Sequence, residues 1–214
     1  MYDTDEEQIE ALKKWWHQYG NMTIVAVILF IAVYSGASYY RHSVQSTKEQ
    51  ASDTYQQLVD LTSGNETLTD DQKSQAETLI SQLKSDYDKS TYAVFASMYA
   101  AKFDVEDQKL DQALTELNWA LAHNKDNDLD KTIRLRMARI QLAQGKNDEA
   151  LKTIAIDAGA QVANFEELRG DIYLAMGKVD DARTAFKLAS ADAKEKQLKR
   201  PVLEMKLNDL AVAD

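Results

Sequence analysis

The feature that most constrains this chain is an uninterrupted apolar run near its N-terminus. Residues 22–40 read MTIVAVILFIAVYSGASYY, and no residue between His17 and Arg41 carries a full charge. At about 1.5 Å rise per residue, roughly 20 helical residues cross a hydrocarbon core about 30 Å thick. Trp and Tyr residues flank the run on both sides, where amphipathic rings settle at membrane interfaces. The run therefore predicts one transmembrane helix over residues 21–40.

Two other interpretations of the apolar run stay open at this point. It could be the core of a cleaved signal peptide, although the leader that precedes it is long and net acidic. It could also be a buried core helix, although soluble proteins rarely keep a helix apolar on every face for so long. We favour the membrane helix. In it, Ser35, Gly36 and Ala37 are small enough to allow close contact with a partner membrane helix.

The charges beside the predicted span do not settle its orientation. Residues 1–20 form a short acidic tail that contains Lys13 and Lys14, and Arg41 and Lys48 follow the span. The positive-inside rule compares Lys and Arg near the two ends. The comparison is a tie, so either orientation fits the charges.

The rest of the chain reads as helical. Apolar residues recur at helical spacing, and the whole sequence has one Pro and seven Gly. We predict that residues 41–90 form a helical hairpin, a degenerate repeat beside the membrane. Its first helix covers residues 46–63, Gly64 and Asn65 form the turn, and Thr69 with Gln72 has the spacing of a capping box that opens the second helix.

A repeat becomes visible in residues 91–214. Residues 168–189 read LRGDIYLAMGKVDDARTAFKLA, and residues 135–154 read LRMARIQLAQGKNDEALKTI, with Gly177 and Gly145 in equivalent places. A weaker copy places Ala113, Leu117 and Ala120 at the small and apolar positions. This pattern predicts a tetratricopeptide-like solenoid of helical hairpins. Each Gly is expected to end the first helix of its unit in a left-handed turn.

The end of the array needs a cover, because an open apolar face is insoluble. Pro201 suits the first turn of a helix, and Leu203, Leu207 and Leu210 follow at helical spacing. We therefore predict a capping helix over residues 201–210. The predicted fold class is all-α throughout.

The sequence offers no support for catalysis, a metal site or a cofactor. There is no Cys, and the three His residues fall in different predicted elements. Asp126, Asp128 and Asp130 alternate like the first ligands of a calcium loop, but Lys131 stands where the loop needs Gly. A solvated turn is the favoured interpretation. The net charge of −10 also disfavours nucleic acid as a partner.

A protein-binding groove is the remaining candidate site. In repeat arrays of this kind, the first helix of each unit lines the concave side. The predicted groove positions are Leu135, Arg136, Arg139, Leu142, Asn164, Glu167, Asp171 and Leu174. The two arginines lie three residues apart on one helix, so they either meet an acidic partner or pair with nearby acids such as Glu149.

The arrangement of the whole chain resembles a known family. An acidic tail, Lys13–Lys14–Trp15–Trp16, one membrane helix, Arg41 and the two repeat segments quoted above are similar to the YfgM-type ancillary subunits of the bacterial SecYEG translocon. The resemblance implies a single-pass inner-membrane protein with a cytoplasmic N-terminus and a periplasmic C-terminal domain. It also implies an adaptor or chaperone that works with SecYEG and the chaperone PpiD on unfolded secretory proteins. The alternative is a membrane-tethered scaffold for a different cell-envelope assembly complex.

Overall fold

The computed structural model describes residues 5–63 and 68–210, so the predicted turn at Gly64 and Asn65 lies outside the described residues. Every regular element in the described part of the chain is a helix, and the all-α prediction is confirmed. The helices are α1 (Asp5–Thr62), α2 (Asp70–Asp86), α3 (Thr91–Glu106), α4 (Leu110–His123), α5 (Asn127–Ala143), α6 (Asn147–Thr153), α7 (Val162–Ala175), α8 (Val179–Glu195) and α9 (Pro201–Asp209). A short 3-10 helix, Gly159–Gln161, precedes α7.

Helix α1 runs without a break through the predicted tail, the span and the helix over residues 46–63. Residues 37–63 contain neither Gly nor Pro, so nothing in the backbone chemistry ends the helix there. Of the helices in the described residues, α1 alone is long and apolar enough to cross a bilayer. None of its most apolar stretch is buried, which contradicts the buried-core alternative.

The chain divides into two compact units, Met1–Gln50 and Ala51–Asp214. The second unit contains the end of α1 together with α2–α9. In it, Ala51 and Leu58 of α1 are fully buried in a cluster with Ile80 and Leu83 of α2. Helix α2 opens with the predicted capping box, in which the Gln72 amide donates to the Thr69 hydroxyl and the Gln72 side chain accepts from the Thr69 amide.

Three hairpins follow, α3 with α4, α5 with α6, and α7 with α8, and helices of successive hairpins share their apolar clusters. Val94, Leu117 and Ile133 join α3, α4 and α5 in one cluster. Phe165 and Ile172 of α7 pack in the next one, with residues of α5 and α6. This sharing between neighbours is how repeat arrays build a continuous core. Helix α6 has only seven residues, a shortening that the repeat pattern did not predict.

The turns inside the hairpins have one common geometry. Gly145 and Gly177 have φ values of +73° and +74°, which confirms the predicted left-handed turns. In the first of them, the Lys146 amide donates to the Gln141 carbonyl at 2.8 Å, as in a Schellman motif. The turn after α3 is built the same way, but Gln108 occupies the left-handed position with φ +62°. The weaker copy is therefore a true hairpin without its Gly.

The predicted capping helix is present as α9, and Pro201 occupies its first turn. Leu203 is almost fully buried and packs with Phe186 of α8. Tyr173 and Leu207 pack against the same cluster. The last repeat is covered by a short helix that ends the array.

Candidate protein-binding groove

The predicted groove positions on α5 do not all face outward. Leu135 is only 4% exposed and packs with Phe165 and Leu168 of α7, so its assignment to a groove surface is wrong. Leu142 is half-buried at the edge of the same cluster. Helix α7 packs against α5, and this contact turns the two leucines into core and core-edge residues. Only Arg136 and Arg139 remain exposed.

The predicted polar side chains on α7 are already paired with other side chains of the same protein. The Glu167 carboxylate lies 3.0 Å from the Arg200 guanidinium and 3.1 Å from the Lys206 ammonium. The same ammonium lies 2.7 Å from the Asp171 carboxylate, and Arg200 also donates to the Asn164 side-chain oxygen. These five residues form the α7–α9 network. It joins the first helix of the last repeat to the cap.

The α7–α9 network is electrostatically coupled. Burial lowers the pKa of Lys206, but the hydrogen bonds and charges of Asp171 and Glu167 outweigh it, so that the pKa is raised above its ordinary value. The Lys206 ammonium also lies 5.5 Å from the centre of the Phe186 ring. Because the acids at this end are already paired, they are not free to recognise a partner. Leu174 lies beyond them with about a third of its surface exposed.

An open pocket lies at the other end of the array, between the end of α1, α3 and α5. Its volume is about 400 Å³. We call it the aromatic pocket, and it is lined by Tyr55, Phe95, Met98, Tyr99, Lys102, Leu129, Thr132 and Arg136. The pocket brings Arg136, a predicted groove residue, together with side chains from α1 and α3, two helices outside the α5–α6 hairpin.

The rings of the aromatic pocket contact one another. The centre of the Tyr55 ring lies 5.8 Å from that of Phe95 and 6.3 Å from that of Tyr99, and the Tyr92 ring is also 5.3 Å from it. These are ordinary separations for packed aromatic side chains. Burial raises the pKa of the Tyr55 hydroxyl, and the neighbouring Tyr99 raises it further. The rings therefore form a neutral, partly exposed apolar wall.

The charged wall of the pocket is basic. Partial burial lowers the pKa of Arg136, and the positive charge of Arg139 lowers it further. Within residues 5–63 and 68–210, neither guanidinium has an ion-pair partner, so the alternative in which they pair with nearby acids such as Glu149 is not observed. Lys102 adds a third cation, with Glu106 3.6 Å away as its partner.

Sequence reasoning missed Phe95 and Tyr99. Phe95 stands thirteen residues before Gln108, the same distance that separates Asn164 from Gly177. The repeat phase would therefore have placed it on the groove side. The signal was hidden because Gln108 replaces the Gly that marks this turn in the other copies.

Comparison with known proteins places the chain in a family. The profile of the tetratricopeptide repeat-like domain family matches residues 13–212. A protein of Haemophilus influenzae named "Ancillary SecYEG translocon subunit" is 34% identical over 211 residues, covering 98% of this chain and 99% of the relative. A protein of Escherichia coli with the same name is 30% identical over 214 residues, covering 99% of each chain. The chain belongs to the tetratricopeptide repeat-like family of ancillary SecYEG translocon subunits. No solved structure matches it significantly.

In this family member, the small residues of the apolar run leave space beside the helix. Ser35, Gly36 and Ala37 are exposed, and a Cβ atom added at Gly36 would meet no atom of the chain within 4 Å. Their contact with a partner membrane helix stays a prediction.

The acidic turn before α5 has a structural role. The Asp126 carboxylate accepts hydrogen bonds from the Asp128 amide at 2.8 Å and the Leu129 amide at 2.9 Å. Asp126 is thus the N-cap of α5, which agrees with the solvated turn favoured from the sequence. Among the described residues, no group of three His, Asp or Glu side chains is placed to hold a metal ion.

Proposed function

We propose that this chain is a membrane-anchored, non-catalytic adaptor of the SecYEG translocon that assists proteins as they emerge into the periplasm. The observation that carries the proposal is the match over nearly the full length to relatives named for that translocon. Cooperation with the chaperone PpiD and contact with unfolded secretory proteins belong to the same proposal. The open aromatic pocket supports it, because an adaptor needs a surface that its own chain leaves free.

We place the protein in the bacterial inner membrane, with the tail in the cytoplasm and the repeat domain in the periplasm. The proposed division is a tail over residues 1–20, a span over 21–40, a juxtamembrane hairpin over 41–90 and repeats over 91–214. External protease added to spheroplasts tests the orientation. Digestion of the repeat domain is expected, and its protection until the membrane is opened would refute a periplasmic location.

Partner identity is tested by purifying the full chain from inner membranes in mild detergent after crosslinking. Recovery of SecYEG, with PpiD, is the expected result. Recovery of a different envelope complex without translocon subunits would support the alternative of a scaffold for another assembly and would overturn the proposal.

Two variants separate the contributions of the anchor and the repeat domain. Gly36→Leu fills the space beside the membrane helix, and Val33→Leu is its matched control of similar apolar character. Phe165→Ala empties a fully buried site in the repeat domain and is expected to cost about 3–5 kcal/mol of stability there. If the membrane helix carries the contact, Gly36→Leu alone lowers SecYEG recovery. If the repeat domain carries it, Phe165→Ala alone does.

A further inference from the structure

The aromatic pocket has the size and composition of a site for part of a polypeptide. Its volume of about 400 Å³ lies within the range of 300–1,000 Å³ that is usual for ligand sites. Tyr55, Phe95 and Tyr99 supply aromatic rings to its lining, and Met98 also lines it with 6% of its surface exposed. A large aliphatic or aromatic side chain would bury apolar surface against these rings.

The basic side chains at the pocket favour negative charge in a ligand. Arg136 lines the pocket and Arg139 lies one helical turn away, and within the described ranges neither has a carboxylate partner. The chain as a whole has a net charge of −10, so these two arginines are a local positive feature of an acidic protein. A guanidinium offers a planar set of donors that a carboxylate can accept in bidentate fashion. An anion placed here would also relieve the repulsion between the two arginines.

The α7–α9 network, at the other end of the array, does not offer a site for such a ligand. Glu167 and Asp171 present negative charge there, and Arg200 and Lys206 already neutralise it. A ligand that carries carboxylates therefore gains by lying against α3 and α5 and gains nothing by lying against α7. Nucleic acid and anionic lipid are poor alternatives, because three cations in an acidic chain supply too little phosphate neutralisation.

We infer that the aromatic pocket binds an extended protein segment that presents a Glu or Asp side chain to Arg136 and Arg139 beside a large apolar side chain held by Tyr55, Phe95 and Tyr99. This inference rests on the proposed adaptor function and names the class of segment that the adaptor recognises. The carboxylate supplies orientation and the apolar side chain supplies most of the buried surface.

The test uses the full chain in nanodiscs of neutral lipid and fluorescein-labelled peptides, with binding followed by fluorescence anisotropy. The probe peptide is Ser-Gly-Leu-Glu-Phe-Glu-Gly-Ser. One companion peptide has Gln in place of each Glu, and another has Ser in place of Leu and Phe. The expected result is at least tenfold weaker binding for either companion, and weaker binding of the probe at higher salt.

The protein variants are Arg136→Gln and, as a matched control, Lys187→Gln. Lys187 is exposed on α8, so its replacement removes the same charge outside the pocket. Arg136→Gln is expected to weaken probe binding about tenfold, and Lys187→Gln to leave it unchanged. On Arg136→Gln, the advantage of the probe over its Gln companion should shrink, because only Arg139 remains to pair with the carboxylate. Arg136→Lys keeps the charge but loses the planar donors, so its affinity for the probe should fall between those of the unchanged protein and Arg136→Gln.

Equal loss of affinity in Arg136→Gln and Lys187→Gln would overturn the inference, as would equal binding of the probe and its Gln companion. Binding of the nanodisc-held chain to vesicles that contain phosphatidylglycerol, abolished by Arg136→Gln, would point to lipid as the ligand of the pocket. This result would also overturn the inference. Circular dichroism of Arg136→Gln shows whether its fold is intact. If the peptides fail while SecYEG still co-purifies, the inference fails and the adaptor function stands.

Discussion

Gly170 offers a sharp test of how α7 and α8 cross. A Cβ atom built on Gly170 would lie 2.5 Å from Cδ1 and 2.8 Å from Cζ of the Phe186 ring, and closer still to Cε1. Phe186 is fully buried and packs with Leu203 of the capping helix. Carbon atoms in good contact are about 3.5–4.0 Å apart. The ring would therefore have to move by about 1 Å in Gly170→Ala, into space that α9 already fills.

Two opposing effects set the size of the change. Replacing Gly by Ala inside a helix is worth about 1 kcal/mol in favour of the helix. Overpacking a well-filled core costs about 1–3 kcal/mol, and the short distances at Gly170 place this site at the upper end. We expect a net destabilisation of about 1–2 kcal/mol. For a domain of this size that corresponds to a fall in Tm of roughly 2–8 °C.

Thermal unfolding of the full chain in mild detergent, followed by far-UV circular dichroism, measures the effect. The matched background is Phe186→Leu, in which the side chain that clashes is smaller. There, Gly170→Ala should be neutral or stabilising, because only the gain in helix propensity remains. If Gly170→Ala raised Tm in the chain that retains Phe186, the close crossing of α7 and α8 would be refuted.

Three further predictions use the same unfolding assay. Gly145→Ala should cost about 1–2 kcal/mol, because its φ is +73° although a Cβ there meets no atom within 4 Å. Gln108→Gly is its mirror image and should add about 0.5–1 kcal/mol, because Gln108 has a φ of +62°, and a change of the same sign in both variants would show that backbone strain is not the cause. Burial raises the pKa of Asp104, and the charge of Glu116 raises it further, so Asp104→Asn should stabilise the protein at neutral pH. A group with a raised folded pKa weakens folding as it ionises, so this gain should vanish below about pH 4, and an equal gain at low pH would contradict its electrostatic origin.

Much of the fold could be predicted because it depends on local chemistry. The apolar run over residues 22–40, the Gly residues of two hairpin turns, the Thr69–Gln72 capping box and Pro201 each act within a few residues of their own position. Such features predict where a helix begins or ends. They do not predict how long a helix continues where no breaker stands, which is why α1 is one helix rather than two.

The sequence by itself determined that the chain is all-helical, carries one candidate membrane span and repeats a hairpin. Only the tertiary structure decided which side chains remain available to a partner. Leu135 is core because α7 packs on α5, and Glu167 is paired because the capping helix brings Lys206 within 3.1 Å. Arg136 is open beside Tyr55 and Tyr99, which come from two other helices. Availability depends on contacts between residues far apart in the chain, and helical periodicity reports only on near neighbours.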